Sequence, residues 1–250
     1  NILFIRQYWK MHKTPTPEDG LLLLQMAQQG HYLGKIELVT LSIEKIMPYI
    51  ENKQFPDHRL IEIFQKAETN LKYILNIHPE DVRLHLFALT FYLNTSGFDK
   101  GNFDKILDLR ERTIKLSPTR AQIYLVTGRA FMGKKEYQKG VKDFEEAVRL
   151  APRVFDPNWN LFAGYVTILE LDKAKEQLSK LKEIRQFDID LYKRASSIFA
   201  AKEYFIDAEK NLLEGIEKMP TSAELYAVLA DFYLQQNEFT LARQIVQKAI

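Results

Sequence analysis

Three prolines constrain this chain more than any other feature: Pro118, Pro152 and Pro220. The first two are 34 residues apart, and the next interval, 68, is twice that. Each proline follows an amphipathic stretch. An aromatic residue comes six or seven positions later, at Tyr124, Trp159 and Tyr226. Self-similarity at a fixed period of this size marks an array of one small unit rather than a single globule. Arrays present long concave surfaces, so the class of function to look for is binding.

The clearest unit runs from Ala121 to Pro152. Its apolar residues fall at Tyr124, Phe131, Tyr137, Val141, Phe144 and Val148, mostly three, four or seven apart, with a change of phase near Gly133. That pattern predicts two amphipathic helices joined by a short turn. Gly128 and Ala147 are small residues on the apolar faces, where they let the helices approach. Pro152 stops the second helix. The last unit repeats the pattern with Tyr226, Leu229, Ala230, Tyr233, Phe239, Ala242 and Val246, and the one before it with Tyr192, Ala195, Phe199, Ala208, Leu212 and Pro220. The unit after Pro152 reads as slightly shifted, with Trp159, Phe162, Ala163, Leu171, Ala174 and Leu178. The unit after Pro79 carries Ala88, Tyr92, Phe103 and Pro118, and its turn, NTSGFDKGN, has about five extra residues relative to the period.

Over residues 80–250 these residues resemble the tetratricopeptide repeat. The resemblance implies an all-α fold, a right-handed superhelical solenoid of helix–turn–helix repeats. About six units are expected, five of them in this stretch. Leu89 stands where the family prefers a small residue. Ile106, Arg110 and Thr113 match poorly, so looser packing is expected around them.

Residues 17–79 read as irregular repeat-like helices: one over 21–29 stopped by Gly30, one over 35–47 stopped or kinked at Pro48, and one over 58–77 capped by Asp57. Residues 1–16 form a lead-in that begins NILFIRQYWKMHK. Ile2 to Ile5 are apolar, Tyr8 and Trp9 come next, and Arg6, Lys10 and Lys13 are interleaved. That order suits the exit of a membrane span. The lead-in, together with residues 64–92, also resembles the C-terminal region of O-antigen ligase-like polytopic membrane proteins, in which several tetratricopeptide repeats follow the last span. This resemblance implies a bacterial, membrane-attached soluble domain whose glycan-transferring part lies outside this chain. The basic residues favour the cytoplasmic side. The competing expectation is a stand-alone soluble adaptor. Asn1 is not a start methionine and Ile250 stops inside a helical pattern, as in a piece of a longer protein. The last unit then ends without a polar cap, and self-association through its apolar edge is expected.

Chemistry is hard to find. There is no cysteine, which removes disulfides, zinc fingers and thiol catalysis. No two of the five histidines are three or four residues apart, so no helix offers an adjacent-turn pair to a metal. Adjacent carboxylates such as Glu145 and Glu146 diverge by about 100° on a helix. There is no phosphate-binding glycine loop. The expectation is no catalytic residue, no metal, no cofactor and no enzyme activity in this fragment. Net charge is +2 with both signs mixed, so no basic stripe awaits nucleic acid.

Binding remains. In the tetratricopeptide family the first helix of each unit lines the concave face. The resemblance therefore implies a protein- or peptide-binding groove over Arg83, Leu86 and Thr90, then Gln122, Leu125, Arg129 and Met132. It continues through Asn160, Gly164 and Thr167, then Asp190, Lys193 and Ser197, and ends at Glu224, Ala227, Asp231 and Leu234. The acidic residues Asp190, Glu224 and Asp231 argue against RNA as the occupant. Lys193, Ser197 and Val228 do not reproduce the clamp with which some family members grip an acidic peptide terminus.

Overall fold

The structure is a computed structural model that describes residues 35–51 and 57–249. Among the described residues it is all-α, with twelve helices and no strand. The chain divides into two compact bodies, one ending at Lys135 and the other starting at Glu136. The first body holds α1 (Lys35–Glu51), α2 (Asp57–Ile77), α3 (Val82–Asn94), α4 (Asn102–Leu116) and α5 (Ala121–Gly133). The second holds α6 (Tyr137–Leu150), α7 (Phe155–Thr167), α8 (Leu171–Ile184), α9 (Ile189–Ala200), α10 (Phe205–Lys218), α11 (Ala223–Gln235) and α12 (Phe239–Lys248). Within the bodies, α1 packs on α2, α3 on α4, α7 on α8, α9 on α10 and α11 on α12.

The period is stricter than the sequence pattern. From α5 onward every first helix starts 34 residues after the last, at Ala121, Phe155, Ile189 and Ala223; every second helix does so at Tyr137, Leu171, Phe205 and Phe239. The turn between them is also constant. Lys135, Leu169, Glu203 and Asn237 recur at the same interval with φ of 64°, 66°, 62° and 61°. After each of the last three, a backbone N–H bonds back over the helix end: Glu170 to Tyr165 at 3.0 Å, Tyr204 to Phe199 at 3.0 Å and Glu238 to Tyr233 at 2.8 Å. A left-handed residue closing a helix this way is normally glycine or asparagine. Only Asn237 fits that rule, so this stop was not legible in residue types. The unit after Pro152 is therefore not shifted. Asn158 occupies the place of Tyr124 and Tyr192, and Trp159 that of Leu125 and Lys193.

The first body has its own core, in which Val39, Ile43, Ile46, Ala67, Leu71, Leu84, Ala88 and Leu89 are buried together. The α1 helix runs through Pro48 instead of stopping there. Pro48 is exposed and lies three residues from the helix end; with no N–H it cannot make the helix bond to the Glu44 carbonyl. The extra residues between α3 and α4 are ordered by contacts. The Phe98 ring lies 5.6 Å from Phe64, and Phe64 stacks on Phe91 at 5.6 Å and 8°. Lys105 ties the turn down, with its ammonium 2.8 Å from Glu68, 2.8 Å from Asn102 Oδ1 and 5.4 Å from the centre of the Tyr92 ring. The packing around α4 is not loose, as Ile106 and Thr113 are both fully buried. His85 explains Thr113. Its Nδ1 is 3.1 Å from the Thr113 hydroxyl and its Nε2 2.9 Å from the Pro79 carbonyl, so the two unusual residues satisfy each other.

Candidate binding surfaces

On the first-helix face of the first body, α1, α3 and α5 enclose a groove of about 440 Å³. It brings together Arg83, Leu86, Thr90 and Gln122. Ile43, Met47, Leu86, Phe87 and Phe91 supply an apolar lining, and Glu44, Arg83, Asn94 and Gln122 add polar groups. Arg83 is exposed and bonds to Asp81 at 2.9 Å. Those hydrogen bonds hold the Asp81 carboxyl below the usual range. Asp81 also caps α3 by accepting from the Arg83 N–H, so the guanidinium is anchored at a helix start. Thr90 donates its hydroxyl to the Leu86 carbonyl at 2.9 Å. Leu125, Arg129 and Met132 are half-buried on α5 and do not line this groove. The α1 contribution was missed in the sequence, where the expected groove began at Arg83.

The second body carries the remaining predicted residues. Lys193 on α9 is bonded to Glu224 on α11 and lies 3.4 Å from Asp190. The hydrogen bond to Glu224, foremost, raises its pKa above the usual lysine value. Asp231 is exposed on α11. Asn160 falls on the register of Val126, Arg194 and Val228. Gly164, expected to face the groove, is buried against α6 instead; a Cβ there would meet Val141 Cγ2 at 2.9 Å. Both differences follow from the one-residue register correction.

That correction puts Trp159 on the expected groove face, and it does not stand alone. Its ring stacks on Phe155 at 6.0 Å and 11°. The Arg194 guanidinium sits 4.1 Å from the Trp159 ring centre, and that of Arg185 3.7 Å from Phe155. No sequence window shows this set, because Trp159 and Arg194 belong to successive repeats.

On the second-helix side, α8, α9 and α10 line a crevice of about 220 Å³ with Lys175, Lys182, Asp207, Asn211 and Glu214 among its walls. Lys182 bonds to Glu214 at 2.7 Å and Lys175 to Asp207 at 2.7 Å. Burial, foremost, lowers the Lys182 pKa below the usual lysine value, against the pull of Glu214. Among the described residues no cluster of three His, Asp or Glu could hold a metal ion.

The architecture is tetratricopeptide-like. No family model matches the chain. Mitochondrial import receptor subunit TOM70 of Homo sapiens is 26% identical over 218 residues, covering 82% of this chain and 34% of that protein. BBSome complex member BBS4 of Bos taurus is 25% identical over 152 residues, covering 61% of this chain and 28% of that protein. The chain thus spans about a third of the length of these curated relatives. Among solved structures, YrrB, described as a TPR protein with an unusual peptide-binding site, has a TM-score of 0.49 at 18% identity, over 72% of this chain and 90% of that one. MamA has a TM-score of 0.47 at 17% identity, over 62% of this chain and 91% of that one.

Proposed function

We propose that this chain is a protein-interaction module whose first-body groove seats a segment of a partner protein. The observation that carries this is the groove itself. Apolar side chains from three helices line it, and a few polar groups can fix a peptide's orientation. Arg83 and the aromatic residues are of the types enriched where interfaces concentrate their energy. The test is a selection of random twelve-residue peptides on the full chain. Phe87→Ala removes lining and Gln122→Trp fills the groove, and each is expected to weaken the selected peptides at least tenfold. Lys142→Ala, at an exposed position on α6, leaves them unchanged. Equal binding by all three variants overturns the assignment.

Within that role, the finer reading is the soluble appendage of an O-antigen ligase-like membrane protein. It rests on the lead-in and the resemblance drawn from it, and those first residues lie outside the described ones. No described helix is long and apolar enough to cross a membrane. A stand-alone adaptor is the competing reading. Cysteines placed at Phe4 and Pro15 separate the two in intact membranes. The appendage requires Phe4 shielded from a water-soluble maleimide and Pro15 reactive. The adaptor requires equal, rapid labelling and no membrane pelleting.

A further inference from the structure

We propose that the Arg185–Phe155–Trp159–Arg194 series on the second body is a separate docking surface. Its occupant is an internal, extended partner segment that sets one side-chain carboxylate on Arg194, with an apolar residue two positions away against the paired rings.

Arg194 is exposed, its guanidinium is 4.1 Å from the centre of an indole ring, and it has no carboxylate partner among the described residues. Asp190, one turn earlier on the same helix, bonds to Lys193 instead, and Glu224 does the same from α11. An arginine held by a ring has already given up much of its side-chain freedom, yet keeps the edge of its planar fork for a carboxylate. Arg185 differs, because Asp188 already holds it at 3.2 Å. One guanidinium is thus open and one is occupied, which fits one incoming carboxylate. A run of acidic residues fits poorly, since Asp190, Glu224 and Asp231 share the first-helix faces.

A second observation is independent of charge. Phe187, two residues beyond Arg185, is 66% exposed and has a φ of 59°. It lies outside the series of left-handed turn residues that recurs every 34 positions. A bulky residue in that region strains the backbone, and here the ring gains little burial in return. An apolar partner residue would provide that burial. The guanidinium lies 4.1 Å from the Trp159 ring centre and that ring 6.0 Å from Phe155; side chains on one side of an extended peptide are about 7 Å apart, so a residue two positions from the carboxylate reaches the ring pair. A chain terminus is gripped by several converging donors, either clustered free backbone N–H groups or a clamp of side chains. Arg194 offers one open guanidinium, and it sits in the middle of α9, where the backbone N–H groups are committed to the helix, so the occupant is an internal segment.

This surface is built from other residues than the first-body groove, and the experiment keeps the two distinct. Random twelve-residue peptides are displayed between two folded domains, so that neither end is free, and selected on the full chain. The expected sequences carry one Asp or Glu two positions from Leu, Ile, Phe or Trp. Arg194→Gln weakens them at least tenfold. Arg194→Lys, which keeps the charge but not the flat fork, gives an intermediate loss. Phe87→Ala leaves them unchanged. Circular dichroism of each variant checks the fold, and Trp159→Phe, which preserves a ring, retains most of the binding. The proposal is overturned if nothing is enriched over a W159L/R194Q double variant, if the enriched peptides lack a carboxylate, or if the same sequences bind only with a free C-terminal carboxylate.

Discussion

Two junctions in the second body share one register but pack differently. Between α6 and α7 the backbones approach closely. Gly164 allows it, with Val141 and Phe144 directly against its Cα. Between α8 and α9 almost no backbone atoms come close. The residue in Gly164's place there is Ile198. The loop also differs. Where Pro152 and Pro220 stand in the flanking loops, this one has Gln186, followed by the left-handed Phe187. Lys182 of α8 lies over the Tyr192 ring of α9 at 4.9 Å, while Arg185 over Phe155 and Arg194 over Trp159 tie the end of α8 and the face of α9 to α7. Residue size is not the whole account, since Phe232 stands in the same place on α11 and still meets Phe205 ring to ring at 6.4 Å. A tight junction comes from a missing side chain or a matched ring. The open one is bridged by a charge over a ring, and the crevice lies beside it.

The largest effect is expected from overfilling the tight junction. Gly164→Leu is expected to cost about 2–3 kcal/mol by overpacking, whereas Ile198→Leu costs under about 1 kcal/mol because the volume is kept and the junction has room. Urea denaturation of the two variants measures the gap, and equal costs would mean the junctions do not differ. Next is the charge pair at the open junction. Glu214→Gln leaves Lys182, largely buried, with its ion partner gone. The expected loss is about 1–2 kcal/mol, reduced because Glu214 is itself partly exposed. The pH dependence has a definite sign. Desolvation raises the Glu214 pKa, but Lys182 and Lys218 outweigh it and hold the net value below the usual glutamate value of 4.5. The unfolded chain therefore binds the proton first. This stabilisation is complete above the unfolded pKa and is lost as pH falls through the folded one. Wild type should shed stability in that acid window and the Gln variant should shed less. The smallest effects are at the turns. Leu169→Gly and Phe187→Gly both relieve a left-handed backbone at an exposed residue and should each gain about 0.5–1 kcal/mol. If Phe187 also serves a partner, only Phe187→Gly should lower peptide affinity along with raising the melting temperature.

The array was legible because period, proline stops and small-residue positions all report on backbone geometry. What stayed hidden depends on side chains. Asn158 fills the aromatic position of its repeat and bonds to the Pro152 and Val154 carbonyls, so the nearest aromatic, Trp159, invited a one-residue misreading. The missing proline at Gln186 was visible, but its consequence, an open junction, was not. Four of the expected groove residues share one cavity because α3 and α5 are successive first helices. Lys193 instead spends its charge within the array, on Glu224 of the next repeat, 31 residues on in sequence.

Repeats this alike face a hazard during folding: a first helix could close on the wrong second helix. Position by position, the buried polar contacts guard against that. His85 bonds to Thr113, Asn158 to Gln177 at 2.6 Å, and Ser196 to Asn211 at 2.8 Å, each between the two helices of one hairpin. Gln177 and Asn211 occupy equivalent places, yet each is matched to a different partner. Swap the second helices and the apolar faces would still fit, but a polar group would be stranded in the interior at a cost of about 1–3 kcal/mol. Three of the hairpins thus carry their own lock, which favours one order of assembly among interchangeable-looking modules.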